Sequence, residues 1–302
     1  MVKDIAKSIR ARLLNISKKK DENFNTLLVQ YALQRLLYRL SVSQYADQFL
    51  LKGSWLFVVW DNTLHRPTKD IDLLGVGESD KGELLEIFKK IADLEPDSPD
   101  GLCFDLDAFK AVDIKKDDNY QGVRISGLVT LDSAKIQLQV DIGFGDAVTP
   151  DAVVASLPSL LDLPDPLLKV YPVYTVLAEK FHAMVFLGLT NSRIKDFFDI
   201  HVIATNRSIN SGDLQAAIAA TFSRRETQIT NESLLVFSAE FKQDKSKARQ
   251  WQSFLSKNNL NNQLSFEQLV DKIQQFIEPI YLQIGGDSDN DKNWNPTTWS
   301  WV

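Results

Sequence analysis

The stretch Lys69-Asp-Ile-Asp-Leu-Leu-Gly-Val76 opens with alternating polar and apolar side chains, the period of a β-strand half-buried in a sheet. On such a strand Asp70 and Asp72 project from one face, while Ile71 and Leu73 enter the core on the other. Two carboxylates side by side repel, and keeping both ionised is costly unless a cation sits between them. A divalent metal supplies that charge, and oxygen ligands with room for phosphate suit Mg2+, or Mn2+ in its place. A lone Asp-x-Asp is more often a solvated strand face, so the reading depends on its neighbours.

Those neighbours lie upstream and downstream. Gly53-Ser54, in Leu51-Lys-Gly-Ser-Trp55, falls where a strand would turn into a helix, so backbone N–H groups there can cradle a phosphate. Glycine permits the close approach, and the Ser54 hydroxyl can add a hydrogen bond. Asp141, in Leu138-Gln-Val-Asp-Ile142, has apolar flanks on another strand pattern and is the natural third ligand. Three carboxylates can hold two metal ions, one activating an attacking hydroxyl and one bridging a triphosphate. Arg66 precedes the Asp70 strand and could reach that triphosphate as a planar donor, or pair with a nearby carboxylate. His65, His182 and His201 show no metal-ligand spacing, and neither Gly75-x-Gly77 nor Gly143-x-Gly145 extends to a nucleotide-fold glycine motif.

Around this constellation the chain changes texture. Residues up to about 47 carry helical periodicity, with Lys18, Lys19 and Lys20 as a connector. From Gln48 strands and helices mix, with strand patterns in GVRISGLVTL and KIQLQVDIGFG. Between helix and strands an acidic section, Asp93 to Asp118, reads as a loop around Pro-Asp-Ser-Pro-Asp-Gly. LPDPLLKVYPVYT reads as a linker, and beyond it helices are expected at 173–189, 193–206 and 212–221, then in a long stretch to about 284. Three tryptophans, Trp294, Trp299 and Trp301, are too apolar for a disordered tail and should dock on the body. The expected organisation is therefore N-terminal helices plus a core over 1–168 and a mainly helical lobe over 169–302. The net charge of −6 argues against general coating of nucleic acid, though basic clusters (Arg10, Arg12, Lys18 to Lys20, Arg224-Arg225, Lys242 to Arg249) could form a local docking surface. One cysteine, Cys103, excludes an internal disulfide, and no run approaches the roughly 20 apolar residues of a membrane span. A cytoplasmic location is the expectation.

The chain resembles the AbiEii/AbiGii-type toxin nucleotidyltransferases of the DNA polymerase β-like superfamily. The likeness runs through RLLYRLSVSQYADQFLLKGSWL, RPTKDIDLLG, YQGVRISG, IQLQVDIGFGDAVTP, YPVYTVLAEKFHAM and LTNSRIKDFFDI, from about residue 30 to 200. It implies an α/β (α+β) fold, with a polymerase β-like core whose mixed sheet is flanked by N-terminal helices and a helical C-terminal lobe. It further implies that Lys180 binds nucleotide phosphates or positions the reacting hydroxyl, and that Asp196 and Asp199, which share a helix face, line the active site. Without the resemblance Lys180 could simply reach water from an apolar helix, and Asp196 and Asp199 could form a surface pair with Arg193 or Lys195. The implied activity is Mg2+-dependent transfer of NMP from an NTP to a hydroxyl, with the tRNA 3′ end as acceptor and a separately encoded antitoxin as partner. A small-molecule adenylyltransferase or a non-catalytic nucleotide-binding module would share the same residues.

Overall fold

A computed structural model of the chain describes residues 2–77, 80–117, 120–230, 232–285 and 291–302. It divides into two compact units: a sheet unit of residues 1–145 and 153–171, and a helical unit of 146–152 and 172–302.

The sheet unit holds helices α1 (Val2–Lys20), α2 (Phe24–Ser41), α3 (Trp55–Asp61) and α4 (Lys81–Asp93). Its strands are β1 (Phe49–Lys52), β2 (Ile71–Gly75), β3 (Leu102–Asp117), β4 (Tyr120–Leu131), β5 (Ala134–Phe144), β6 (Val153–Ser156) and β7 (Leu167–Val170). They form one mixed sheet in the order β3-β4-β5-β2-β1-β7-β6. β2 runs parallel to β5 and β1 parallel to β7, and the remaining neighbours are antiparallel.

Alternation decides the two faces. On β5, Ile136, Leu138, Val140 and Ile142 are buried, and on β4 so are Val123, Ile125, Val129 and Leu131. Helix α2 packs on this face, contributing Leu33, Leu36, Leu37 and Leu40. Several of its buried polar groups find partners in the loops it passes. Gln34 donates to the carbonyl of Pro158 and accepts from Leu160 N–H, while Arg35 and Arg39 share the carboxylate of Asp100. The opposite face carries Arg124, Gln139 and Asp141, which leaves it for chemistry.

Several sequence expectations are corrected, beginning with Lys18 to Lys20, which form the last turn of α1 rather than a connector. The acidic section expected to be a loop carries β3 from Leu102, and Asp118 lies outside the described residues. Up to Phe109 its exposed acids, Asp105 and Asp107, alternate with the better-covered Phe104, Leu106 and Ala108, as befits an edge strand with one wet side. The proline-rich linker likewise contains β7, because Leu167–Val170 sits between Pro166 and Pro172 and needs no proline in the ladder.

In the helical unit α5 (Val173–Leu187), α6 (Ile194–Asn206), α7 (Ser211–Arg224) and α10 (Phe266–Tyr281) surround an aromatic core of Phe181, Phe222, Phe237 and Tyr281. The expected long helical stretch is interrupted. Among the described residues of that stretch the α-helices α8 (Ala239–Lys242) and α9 (Lys245–Lys257) precede α10, whose start is fixed by a Ser265/Gln268 capping box. The final strands, β8 (Trp294–Asn295) and β9 (Ser300–Trp301), form a small hairpin. Trp294 is fully buried, donates its indole N–H to the Ala204 carbonyl at 2.7 Å and packs edge-on to Phe276. The tryptophan-rich segment does dock on α6 and α10.

Candidate active site

Strand pairing lines up four charged residues across four adjacent strands of the sheet unit. Arg124 on β4 faces Asp141 on β5, Asp141 faces Asp72 on β2, and Asp72 faces Lys52 on β1. Directly paired residues share a sheet face, and neighbouring strands lie about 4.8 Å apart. The result is a ladder of charge in the order plus, minus, minus, plus. Asp70, two residues before Asp72, adds a third carboxylate.

Each member is held from the side. The Arg124 guanidinium grips both oxygens of Asp141, through Nε and Nη2, at 2.8 Å each. The Asp141 hydrogen bonds raise the guanidinium pKa above its ordinary value, partial burial opposes this, and the charges of Asp70 and Asp72 add to it. Lys52 is buried with its ammonium over the Tyr171 ring. Asp70 is anchored twice: Trp55 donates its indole N–H to the Asp70 carbonyl at 2.9 Å, and the buried Thr68 hydroxyl donates to Asp70 Oδ1 at 2.8 Å.

Gly53 follows β1 with φ of +73°, a conformation that glycine adopts without strain. A Cβ on Gly53 would overlap the Asp72 carboxylate, so the absent side chain makes the space that Asp72 occupies. Ser54, buried, leads into α3. Arg66 lies half-buried in the segment between α3 and β2, and His65 in that segment is bound to Asp61 at 2.8 Å and packed on Phe57.

In the helical unit, the ammonium of Lys180 on α5 bridges Asp196 and Asp199 on α6 at 2.8 and 2.7 Å. Both carboxylates are 1% exposed, and Arg193 binds Asp196 from the other side at 2.6 Å. Burial pushes the Asp196 carboxyl up, but Lys180 and Arg193 outweigh it and hold it below the usual carboxylate range. A second network surrounds His182. Arg225 contacts its Nδ1 at 3.2 Å, Thr227 its Nε2 at 2.8 Å, and Asp146 takes the other guanidinium nitrogen at 3.0 Å. Arg225, one of the basic residues considered for a docking surface, is thus engaged by groups of its own unit.

Residues 35–272 match the family model described as nucleotidyl transferase AbiEii toxin of type IV toxin–antitoxin systems. The chain belongs to the AbiEii family. Its class of activity is therefore nucleotidyl transfer, exercised as a toxin, which implies an NTP substrate and an antitoxin partner. Among solved structures, JHP933 from Helicobacter pylori is similar in fold, with TM-score 0.50 and 14% identity over 86% of this chain and 93% of that one. A second H. pylori protein, described as a candidate nucleotidyltransferase, is 14% identical with TM-score 0.49, over 88% and 98%. No curated protein matches the sequence.

Within this AbiEii chain, Gly53, Asp70, Asp72 and Asp141 come together on one sheet, while Lys180, Asp196 and Asp199 gather on two helices of the other unit. Sequence reasoning passed over Arg124, Lys52, Thr68 and Trp55. Arg124 had a legible signal, since in Gly-Val-Arg-Ile-Ser-Gly it is the charged residue between two core positions of an alternating strand.

Proposed function

We propose that the chain transfers a nucleoside monophosphate from an NTP to the 3′ hydroxyl of a tRNA, using Mg2+ at Asp70 and Asp72. The observation that carries this reading is the juxtaposition of Asp72 with Gly53 and Asp141 on one sheet face, beside Asp70. The donor set fits the ion. Mg2+ is commonly bound by one or two carboxylates, with phosphate oxygens and waters completing the shell. Among the described residues no three carboxylate, histidine or cysteine side chains form a ready-made cage.

In the reaction the acceptor oxygen attacks the α-phosphorus, the bond to the bridging oxygen breaks, and pyrophosphate leaves. A divalent cation bound there would polarise the phosphate and lower the pKa of the attacking hydroxyl. Asp70, fixed by Trp55 and Thr68, and Asp72, fixed against Gly53, orient the charge. Gly53 admits the phosphate chain close to backbone, Ser54 offers a hydroxyl, and Arg66 a planar cation. The family resemblance alone assigns Lys180, Asp196 and Asp199 a part in nucleotidyl transfer. The tRNA acceptor rests on the same resemblance.

The test is incubation of the purified chain with each labelled NTP and total RNA, with and without a chelator. Label entering the tRNA band, lost with chelator and in Asp70→Ala, supports the reading. Label entering only a small-molecule hydroxyl, or no RNA at all, overturns the acceptor.

A further inference from the structure

The charge ladder contains two cations that the proposed chemistry does not use, and Arg124 is the one that grips a candidate metal ligand. Arg124 takes both oxygens of Asp141, which is 7% exposed, so that carboxylate has little coordination left to offer a metal. Asp141 is also the register partner of Asp72, so a cation bound between these two carboxylates and the guanidinium would compete for one group. Arg124 itself is 39% exposed, open enough to swing away without unpacking the core. Like charges several ångströms apart exclude each other strongly at a half-buried site.

We propose that Arg124 is a resident counter-cation that holds Asp141 away from the metal until the nucleotide arrives. This rests on the reading of Asp70 and Asp72 as the metal site. With the nucleotide absent, Arg124 and Lys52 offset two of the three carboxylates, and the site draws less free divalent ion than it would without the guanidinium. The cation that accompanies an NTP would offer Asp141 a local partner in place of Arg124, and the released guanidinium would face the incoming phosphates. The gate thus makes metal and nucleotide binding interdependent.

The experiment is Mn2+ binding to the full chain without nucleotide, followed by electron paramagnetic resonance, for wild type, Arg124→Gln, Arg124→Lys and Asp70→Asn. Arg124→Gln is expected to bind Mn2+ at least about tenfold more tightly than wild type, since a positive charge has left the site. Arg124→Lys, which keeps the charge but loses the two-pronged grip, should fall between them and remains informative if the glutamine variant fails to fold. A folded Arg124→Gln or Arg124→Lys that binds no tighter than wild type, while Asp70→Asn loses the ion, overturns the gate alone. Mn2+ binding unchanged by Asp70→Asn overturns the metal reading and the gate with it.

Discussion

The side chain that Gly53 lacks would stand where the Asp72 carboxylate now lies. Gly53 also has a φ of +73°, so Ala there pays for a left-handed backbone as well as the collision, together costing about 1–3 kcal/mol. Gly53→Ala is expected to reduce nucleotidyl transfer about a hundredfold or more while lowering the melting temperature by only several degrees. Transfer kinetics and a thermal melt on the same preparation check this.

Trp55 positions Asp70 through the Asp70 carbonyl rather than its carboxylate. Trp55→Phe should keep most of the packing and lose the hydrogen bond, at about 1 kcal/mol of stability. The expected effect is a fall in kcat of about tenfold with little change in KM for NTP. Asp70→Ala, by contrast, should abolish both transfer and toxicity in a chain that still melts cooperatively.

Lys180 neutralises two carboxylates that are 1% exposed. Lys180→Met removes the ammonium that bridges the two buried carboxylates, and such breaks cost about 3–5 kcal/mol. Chemical denaturation should therefore show a strongly destabilised helical unit, whereas Lys180→Arg should retain most of the stability. Full stability in a folded Lys180→Met would mean that the ion cluster is not what holds α5 to α6.

His182 is held neutral. Burial first, then the Arg225 charge, push its imidazole down to about 4, and burial with Lys272 does the same for His201. The unfolded chain takes up these protons near pH 6.5, before the native state does. Stability is thus fully present above about pH 6.5 and is lost as pH falls from there toward 4, by a few kcal/mol in total. Urea midpoints at pH 7.5, 5.5 and 4.5 should fall in that order, and His182→Gln should flatten the slope. Asp196 adds a further loss at lower pH, because its depressed carboxyl stabilises the fold only while ionised.

Much of the site was readable from local pattern, because a period of two places Asp70 and Asp72 on one face without knowledge of any partner strand. Register is another matter. Arg124 and Asp141 meet because β4 and β5 pair across a hairpin, and Asp141 meets Asp72 because two strands far apart in sequence run parallel. Neither alignment is written in the spacing of a single segment. β3 escaped notice for a related reason: its outward acids obeyed strand alternation, but acids near a proline cluster also look like a loop. β7 was masked by the prolines bounding it. Trp294 was easier, since an indole of that size in a polar, glycine-rich segment has few places to go other than a core.

The chain crosses from one unit to the other three times, after Gly145, after Ala152 and after Tyr171. Residues 146–152 are thus borrowed from the middle of the sheet unit's sequence, and Asp146 among them is the partner of Arg225. No single cut, fusion or recombination point separates the two halves cleanly. A fragment beginning at Pro172 would lose Asp146 and leave Arg225 with Glu179 at 3.9 Å, so the helical unit is completed only by residues carried within the sheet unit's sequence.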